Sequence, residues 1–116
     1  MTAAATKVTT AVLRAMKAQR QRITALTAYD HLFAGLLDQA GVDVLLVGDS
    51  VATVVQGRDT TVPVTMDEME YHTRLVARGS ASALVLADMP FGSFQESKEQ
   101  ALRNAARLMA AGAQMV

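Results

Sequence analysis

Cysteine is absent from the 116-residue sequence, which excludes disulfide bonds, thiolate nucleophiles and cysteine-ligated metal sites from this stretch. Neither sign of charge is in excess. Eleven basic residues balance eleven acidic ones, so nothing would attract nucleic acid or an anionic membrane. No apolar run approaches the roughly 20 residues that span a bilayer. The sequence also lacks the glycine pattern of a dinucleotide-binding site and the P-loop of a phosphate-binding site.

Hydrophobic residues make up 51% of the sequence, which is more than a disordered chain contains and indicates one globular unit or part of one. Residues 1–17 lack the charged-then-apolar layout of a secretory signal. Residues 1–8 are expected to form a flexible tail, and Thr9 or Thr10 to cap a leading helix. We therefore expect a soluble, cytoplasmic protein with no nucleic-acid or membrane partner.

Short apolar stretches typical of buried strands alternate with amphipathic helical stretches. Strands are predicted at residues 23–27, 42–47 and 83–87, and residues 114–116 open a fourth. Strands that alternate with helices form a parallel sheet, either open and doubly wound or closed into an eight-stranded barrel. A complete (βα)₈ barrel takes about 250 residues, so this chain would hold a little under half of one.

Each helix that follows a strand has a start signal. Asp30, Thr65 and Ser97 stand where capping residues are expected, and Thr65 and Ser97 have capping-box spacing to Glu68 and Gln100. A long polar connection is predicted between the second strand and Thr65. The first of these helices has its apolar side chains on one face, and these are Leu32, Phe33, Leu36, Leu37 and Ala40.

Two aspartates, Asp49 and Asp88, follow successive buried strands. Ligands of parallel βα folds collect at the carboxyl ends of the strands, although a single aspartate there can also be a simple helix or turn cap. Adjacent strands lie about 4.8 Å apart, so the two carboxylates would be close and would repel without a cation. Oxygen ligands favour Mg²⁺. Ser50 could then bind the carboxylate of a small acid substrate, or be another cap.

Several stretches, in order and with matching spacing, resemble the ketopantoate hydroxymethyltransferase family. The resemblance extends from about residue 22 to residue 116. The stretches are residues 26–30 (LTAYD), 45–50 (LLVGDS), 54–57 (VVQG), 61–65 (TVPVT), 71–73 (YHT) and 86–91 (LADMPF).

The resemblance implies a (βα)₈ TIM barrel of the phosphoenolpyruvate mutase/isocitrate lyase type. Residues 1–116 would be the N-terminal part of this single domain, with the first three βα units and the start of the fourth strand. The implied reaction transfers a hydroxymethyl group from 5,10-methylenetetrahydrofolate to 3-methyl-2-oxobutanoate, through an enolate stabilised by Mg²⁺. The product is ketopantoate, on the route to pantothenate and coenzyme A.

The resemblance also assigns residues. It implies that Asp49 and Asp88 bind the metal and that Asp49, Ser50 and Asp88 contact the substrate. The family's substrate-binding Lys, a Glu near the metal and the general-base Glu are expected beyond Val116, so no catalytic residue lies within this chain. We expect the isolated segment to be inactive and to bind Mg²⁺ weakly, and the whole protein to be a homo-oligomer.

Three other functions are compatible with parts of the pattern. Another Mg²⁺-dependent 2-oxo-acid lyase or mutase on the same barrel would share the paired aspartates. A receiver-type signalling module also places aspartates at strand ends, but it needs an acidic pair after the first strand, where only Asp30 is found. The segment could also be a non-catalytic assembly piece, because an incomplete barrel leaves apolar surface uncovered. His72, which shares a helix face with Met69 and Val76, is expected to pack or hydrogen bond rather than to bind a ligand.

Overall fold

The computed structural model describes residues 6–116, and the chain folds as a three-stranded parallel sheet with helices. The elements in chain order are α1 (Thr10–Ala18), β1 (Ala25–Thr27), α2 (His31–Gln39), β2 (Val44–Val47), α3 (Val51–Val54), α4 (Met66–Gly79), β3 (Leu84–Ala87) and α5 (Lys98–Ala111).

The sheet has the strand order β1-β2-β3, and both neighbouring pairs are parallel. In register, Leu45 of β2 lies between Leu26 of β1 and Val85 of β3. The predicted fourth strand begins as expected: Leu86 forms a parallel bridge with Met115, and the Ala87 amide donates to the Met115 carbonyl at 3.0 Å. The predicted parallel βα fold is confirmed, and Met115 forms the bridge expected at the start of a fourth strand.

The strands are shorter than predicted at their amino ends. Residue 42 belongs to the preceding turn, because the Val42 amide donates to the Leu37 carbonyl at the end of α2. The carboxylate of Asp43 accepts hydrogen bonds from both the amide and the hydroxyl of Thr24. These bonds hold residues 24, 42 and 43 outside the strands, so β1 begins at Ala25 and β2 begins at Val44.

The predicted helix starts are confirmed. Asp30 accepts a hydrogen bond from the Phe33 amide at 2.7 Å, Thr65 from the Glu68 amide at 3.1 Å and Ser97 from the Gln100 amide at 3.0 Å. Neither predicted capping box is complete. The Glu68 carboxylate turns to the side chains of Gln56 and Arg58, and the side-chain oxygen of Gln100 accepts from the Glu96 amide rather than from that of Ser97.

One stretch was assigned the wrong structure. The connection after β2 opens with the short helix α3, which follows Ser50 directly. Val51 and Ala52 of this turn are completely buried. Four residues are too few for a helical period to show in the sequence, so the helix was missed.

The core lies between the sheet and helices α4 and α5. Leu45 and Val85 of the sheet are buried together with Met69 and Val76 of α4 and Leu108 of α5. Val76 and Met69 share one helical face, as their spacing of seven residues requires. Helix α4 therefore packs over β2 and β3 and fixes the end of the sheet at which the predicted site lies.

Helix α2 packs through Ala34 and Leu37, and the rest of its predicted apolar stripe is exposed. Ala34 is completely buried, whereas Leu32, Phe33 and Leu36 are 66%, 57% and 52% exposed. A Cβ atom on Gly79 of α4 would lie 2.6 Å from the His31 carbonyl oxygen of α2, so the two helices cross closely. This close approach turns Ala34 inward. Leu37 is half-buried and packs against the core, whereas the other large side chains of the stripe stay exposed.

A cluster of contacts joins three segments at the amino end of the sheet. The Asp38 carboxylate accepts from the amides of Ala81, Ser82 and Ala83 at 3.1, 2.9 and 2.7 Å. The Val8 amide donates to the Ser82 carbonyl, and the Lys7 ammonium donates to the Ala83 carbonyl. Lys7 and Val8 are therefore held against the fold, which corrects the predicted tail at these two positions. Residues 1–5 lie outside the described part of the chain.

Both charged groups of this cluster have lowered pKa values, for different reasons. Burial lowers the pKa of the Lys7 ammonium, and the Asp38 charge only partly offsets it. Burial would raise the pKa of Asp38, but the three amide donors and Lys7 together outweigh it and lower that pKa.

None of the helices within residues 6–116 has the length and apolar character needed to span a bilayer.

Candidate functional site

Polar side chains meet at the carboxyl ends of all three strands. Tyr29 follows β1 by two residues, Asp49 and Ser50 follow β2, and Asp88 follows β3 directly. Because the strands are parallel and adjacent, these positions lie along one edge of the sheet. The structure thus brings together the three residues predicted to form the site, Asp49, Ser50 and Asp88, and adds Tyr29 to them.

A hydrogen bond links the two predicted aspartates. The Asp49 amide donates to Oδ2 of Asp88 at 2.9 Å, across the gap between β2 and β3. The Asp88 amide in turn donates to the Val47 carbonyl at 2.9 Å, which continues the ladder of the two strands. Asp88 is therefore not a cap of a following helix. Its carboxylate is aimed at the neighbouring strand end.

Gly48 leaves the space in which these groups meet. A Cβ atom at this position would lie 2.8 Å from Oγ of Ser50 and 3.5 Å from Oδ2 of Asp88. Two oxygen donors from different strands therefore converge on the same side of the Gly48 backbone. Such an all-oxygen set is the kind that a hard divalent cation prefers.

Ser50 does not act as the simple cap considered for it. It precedes α3, but its side chain makes no capping bond to that helix. Its hydroxyl is instead 2.7 Å from the hydroxyl of Tyr29. No spacing in the sequence predicts this contact, since the two residues are 21 positions apart. Its only signal is that both residues lie in stretches that resemble the family.

His72 lies behind Tyr29 and has the hydrogen-bonding role predicted for it. Its Nδ1 is 2.7 Å from the main-chain carbonyl oxygen of Tyr29. A carbonyl oxygen can only accept, so Nδ1 carries the hydrogen and donates. The ring also packs edge-on against Tyr71, with centroids 5.3 Å apart. Helix α4 thereby holds the end of β1 in place.

Within residues 6–116, no cluster of three or more His, Cys, Asp or Glu side chains is arranged to hold a metal ion. The pair Asp49 and Asp88 thus offers two carboxylates and no third. A cavity of about 430 Å³ lies farther out, between the loop before α4 and the loop after β3, and Phe91, Asn104 and Arg107 are among its lining residues. None of Asp49, Ser50 or Asp88 lines it.

The sequence profile described as ketopantoate hydroxymethyltransferase matches residues 7–116. The chain belongs to the ketopantoate hydroxymethyltransferase family. This assignment confirms the resemblance and excludes the receiver-type signalling module. That alternative was wrong for a physical reason also visible in the fold: Asp30, the only acidic residue directly after β1, is used as the cap of α2.

Curated relatives in this family carry the name 3-methyl-2-oxobutanoate hydroxymethyltransferase. The relative from Alkalilimnicola ehrlichii is 63% identical over 110 residues, which are 94% of this chain and 39% of that protein. The relative from Azoarcus sp. is 61% identical over 101 residues, 87% of this chain and 37% of that protein. The chain therefore spans about two fifths of the length of the relatives it matches.

Two solved structures share the fold, and one of them, a 2,3-dimethylmalate lyase, is described as a member of the phosphoenolpyruvate mutase/isocitrate lyase superfamily. This lyase aligns over 93% of this chain and 38% of its own, with a TM-score of 0.70 and 24% identity. A phosphonopyruvate hydrolase in complex with oxalate and Mg²⁺ aligns over 87% and 35%, with a TM-score of 0.70 and 23% identity. These likenesses confirm the predicted fold, and this chain corresponds to a little over a third of each solved chain.

Proposed function

We propose that the whole protein carrying this chain transfers a hydroxymethyl group from 5,10-methylenetetrahydrofolate to 3-methyl-2-oxobutanoate, giving ketopantoate for pantothenate and coenzyme A synthesis. The family membership supports the reaction type. The observation that supports the proposal for individual residues is the hydrogen bond from the Asp49 amide to the Asp88 carboxylate. It joins the two predicted metal ligands at one edge of the sheet.

Asp49 and Asp88 are proposed to hold Mg²⁺, because carboxylate oxygens suit that ion and Oδ2 of Asp88 lies beside the Gly48 backbone, next to Asp49. A bound Mg²⁺ would stabilise negative charge on the oxygens of the 2-oxo acid. Both aspartates serve best as ionised ligands, so neither is assigned as the base that removes the substrate proton. That base is proposed to be a Glu beyond Val116, as in the family resemblance.

Ser50 is proposed to bind the substrate carboxylate. Its hydroxyl is not used by α3, and a serine hydroxyl can accept one hydrogen bond while donating another. The whole protein is proposed to be a cytoplasmic homo-oligomer that takes the 2-oxo acid and the folate as its small-molecule partners.

The proposal is tested in the whole protein with Asp88→Asn and a matched control, Asp43→Asn. Asp43 lies before the same sheet, at its opposite end, and accepts both Thr24 bonds through one oxygen, which asparagine retains. Ketopantoate formation should fall by roughly 100-fold in Asp88→Asn, since a charged group at the reacting centre is lost. Calorimetric titration with MgCl₂ should show weaker binding for this variant only. Equal activity and equal Mg²⁺ affinity in both variants would refute the assignment.

Two further results would separate the alternatives. Cleavage of a carbon–carbon bond without dependence on the folate would replace the transferase by a lyase of the same fold. The polypeptide of residues 1–116 should not form ketopantoate, because it offers two carboxylates and no base; measurable turnover by it would contradict that expectation. Light scattering of the same polypeptide tests whether the exposed Leu32, Phe33 and Leu36 drive association.

A further inference from the structure

The hydroxyl of Ser50 is held from outside the predicted ligand set. Tyr29, at the end of the neighbouring strand, places its hydroxyl 2.7 Å from Oγ of Ser50. His72 of α4 fixes the main chain of the same tyrosine, with Nδ1 2.7 Å from its carbonyl oxygen. A chain of contacts therefore runs from helix α4 through β1 to the residue proposed to bind the substrate carboxylate.

We infer that Tyr29 is a positioning residue that orients the Ser50 hydroxyl toward the substrate carboxylate, and that His72 holds Tyr29 for this task. The inference rests on the proposed function, because it assigns Ser50 the substrate carboxylate. Tyr29 does not need to touch the substrate itself.

The direction of the hydrogen bond follows from what each oxygen must do. A substrate carboxylate only accepts, so Ser50 must donate its single hydrogen to it. Oγ of Ser50 is then left as an acceptor, and the Tyr29 hydroxyl donates to it. Consecutive hydrogen bonds of this kind strengthen one another. Without the tyrosine hydroxyl, Ser50 is free to rotate and to direct its hydrogen elsewhere.

The nearby geometry makes this orientation specific. Gly48 provides the space for Oγ of Ser50, since a Cβ there would lie 2.8 Å away. The buried residues Val51 and Ala52 anchor the main chain that follows Ser50. The Ser50 main chain is thus held by α3, and Tyr29 supplies the contact that selects the orientation of its hydroxyl.

Steady-state kinetics of the whole protein tests the inference with Tyr29→Phe, Ser50→Ala and the double variant. Tyr71→Phe is the matched control, because Tyr71 is exposed and its hydroxyl forms no hydrogen bond within residues 6–116. Tyr29→Phe should raise the KM for 3-methyl-2-oxobutanoate about fivefold, the effect of one hydrogen bond, with kcat nearly unchanged. The double variant should be no worse than Ser50→Ala, since both changes remove one shared interaction.

A second pair of variants keeps the test decisive if Tyr29→Phe does not fold. His72→Leu removes the donor to the Tyr29 carbonyl, whereas the side-chain amide of His72→Asn can replace Nδ1. The KM should rise in His72→Leu and recover in His72→Asn. A general loss of stability would instead lower the amount of active enzyme, and so kcat, without raising KM.

The outcomes separate the two claims. If the wild-type protein forms ketopantoate but Tyr29→Phe behaves like Tyr71→Phe, the positioning role is refuted and the proposed function stands. Additive effects of Tyr29→Phe and Ser50→Ala also refute it, because Tyr29 would then act by another route. A wild-type protein that neither binds the 2-oxo acid nor forms ketopantoate overturns the proposed function, and the inference with it.

Discussion

Removing the Asp38 carboxylate should loosen the joint between α2, the turn before β3 and the N-terminal segment. Two of its three amide contacts, from Ser82 and Ala83, end on one oxygen, and the third, from Ala81, ends on the other. Asp38→Asn can keep its one carbonyl oxygen on Ser82 and Ala83 and loses the third bond together with the charge. Asp38→Ala loses all three.

Hydrogen bonds to charged groups contribute about 1.5–3 kcal/mol each. The Ala81 amide belongs to an exposed residue, so water can replace its contact, and only the two bonds to Ser82 and Ala83 are counted in full. We expect Asp38→Ala to cost about 3 kcal/mol and Asp38→Asn about 1 kcal/mol. In proteins of 150–250 residues these values correspond to falls in Tm of roughly 6–12 °C and 2–4 °C, and because the relatives of the whole protein are longer than that, we expect the lower end of each range.

The pH dependence gives a sharper criterion. Folding lowers the pKa of Asp38 below its ordinary value of 3.8, so the folded state favours the ionised carboxylate. The stabilisation is therefore fully present above that value and is lost as the pH falls through the lowered, folded-state pKa. The Tm difference between wild type and Asp38→Asn should be constant from pH 7 to pH 5 and should narrow below pH 4.

Scanning calorimetry of the whole protein at several pH values measures this difference. The control is Asp59→Asn, the same chemical change at an exposed carboxylate that forms no hydrogen bond within residues 6–116. Hydrogen exchange at the amides of residues 81–83 should accelerate in Asp38→Ala. A Tm for Asp38→Ala within 1 °C of the control, or a difference for Asp38→Asn that does not change between pH 7 and pH 3, would refute the reasoning.

Two further substitutions should lower stability, one through packing and the other through charge. Gly79→Ala should destabilise by about 1–2 kcal/mol, because its Cβ would meet the His31 carbonyl oxygen at 2.6 Å, whereas Gly35→Ala in the same crossing has 3.8 Å of room and should raise Tm slightly. Thermal scans that show the same sign for both glycines would contradict this account of the α2–α4 contact. Arg107→Gln should cost under about 1 kcal/mol, because the ion pairs of Arg107 with Glu70 and Asp67 are partly exposed, and the cost should shrink in high salt. Arg103→Gln, an exposed neighbour on α5, should show no such salt dependence.

The sequence predicted the elements whose signals are local. Asp30, Thr65 and Ser97 cap the helices as expected, because a cap is decided within three residues of the chain. The strand-end aspartates were also predictable, since the carboxyl ends of neighbouring parallel strands must lie together. The alternation of apolar strands and amphipathic helices was enough to predict the parallel sheet.

The missed features all depend on contacts between distant residues. The apolar stripe of α2 was expected to pack inward, but only Leu37 of its large side chains does so, and the close crossing with Gly79 buries Ala34. The bond between Tyr29 and Ser50 joins two strand ends, and no spacing in the sequence encodes it. The same holds for Lys7 and Val8, whose partners lie more than seventy residues away.

The bond from His72 to Tyr29 ends on a main-chain carbonyl, and this has a consequence for how the site can diversify. A hydrogen bond to a main-chain carbonyl does not depend on which side chain that residue carries. Position 29 can therefore exchange its side chain while its anchor stays in place. In a directed-evolution experiment, a library at this single position would vary the support of the Ser50 hydroxyl while the main-chain contact to His72 is kept.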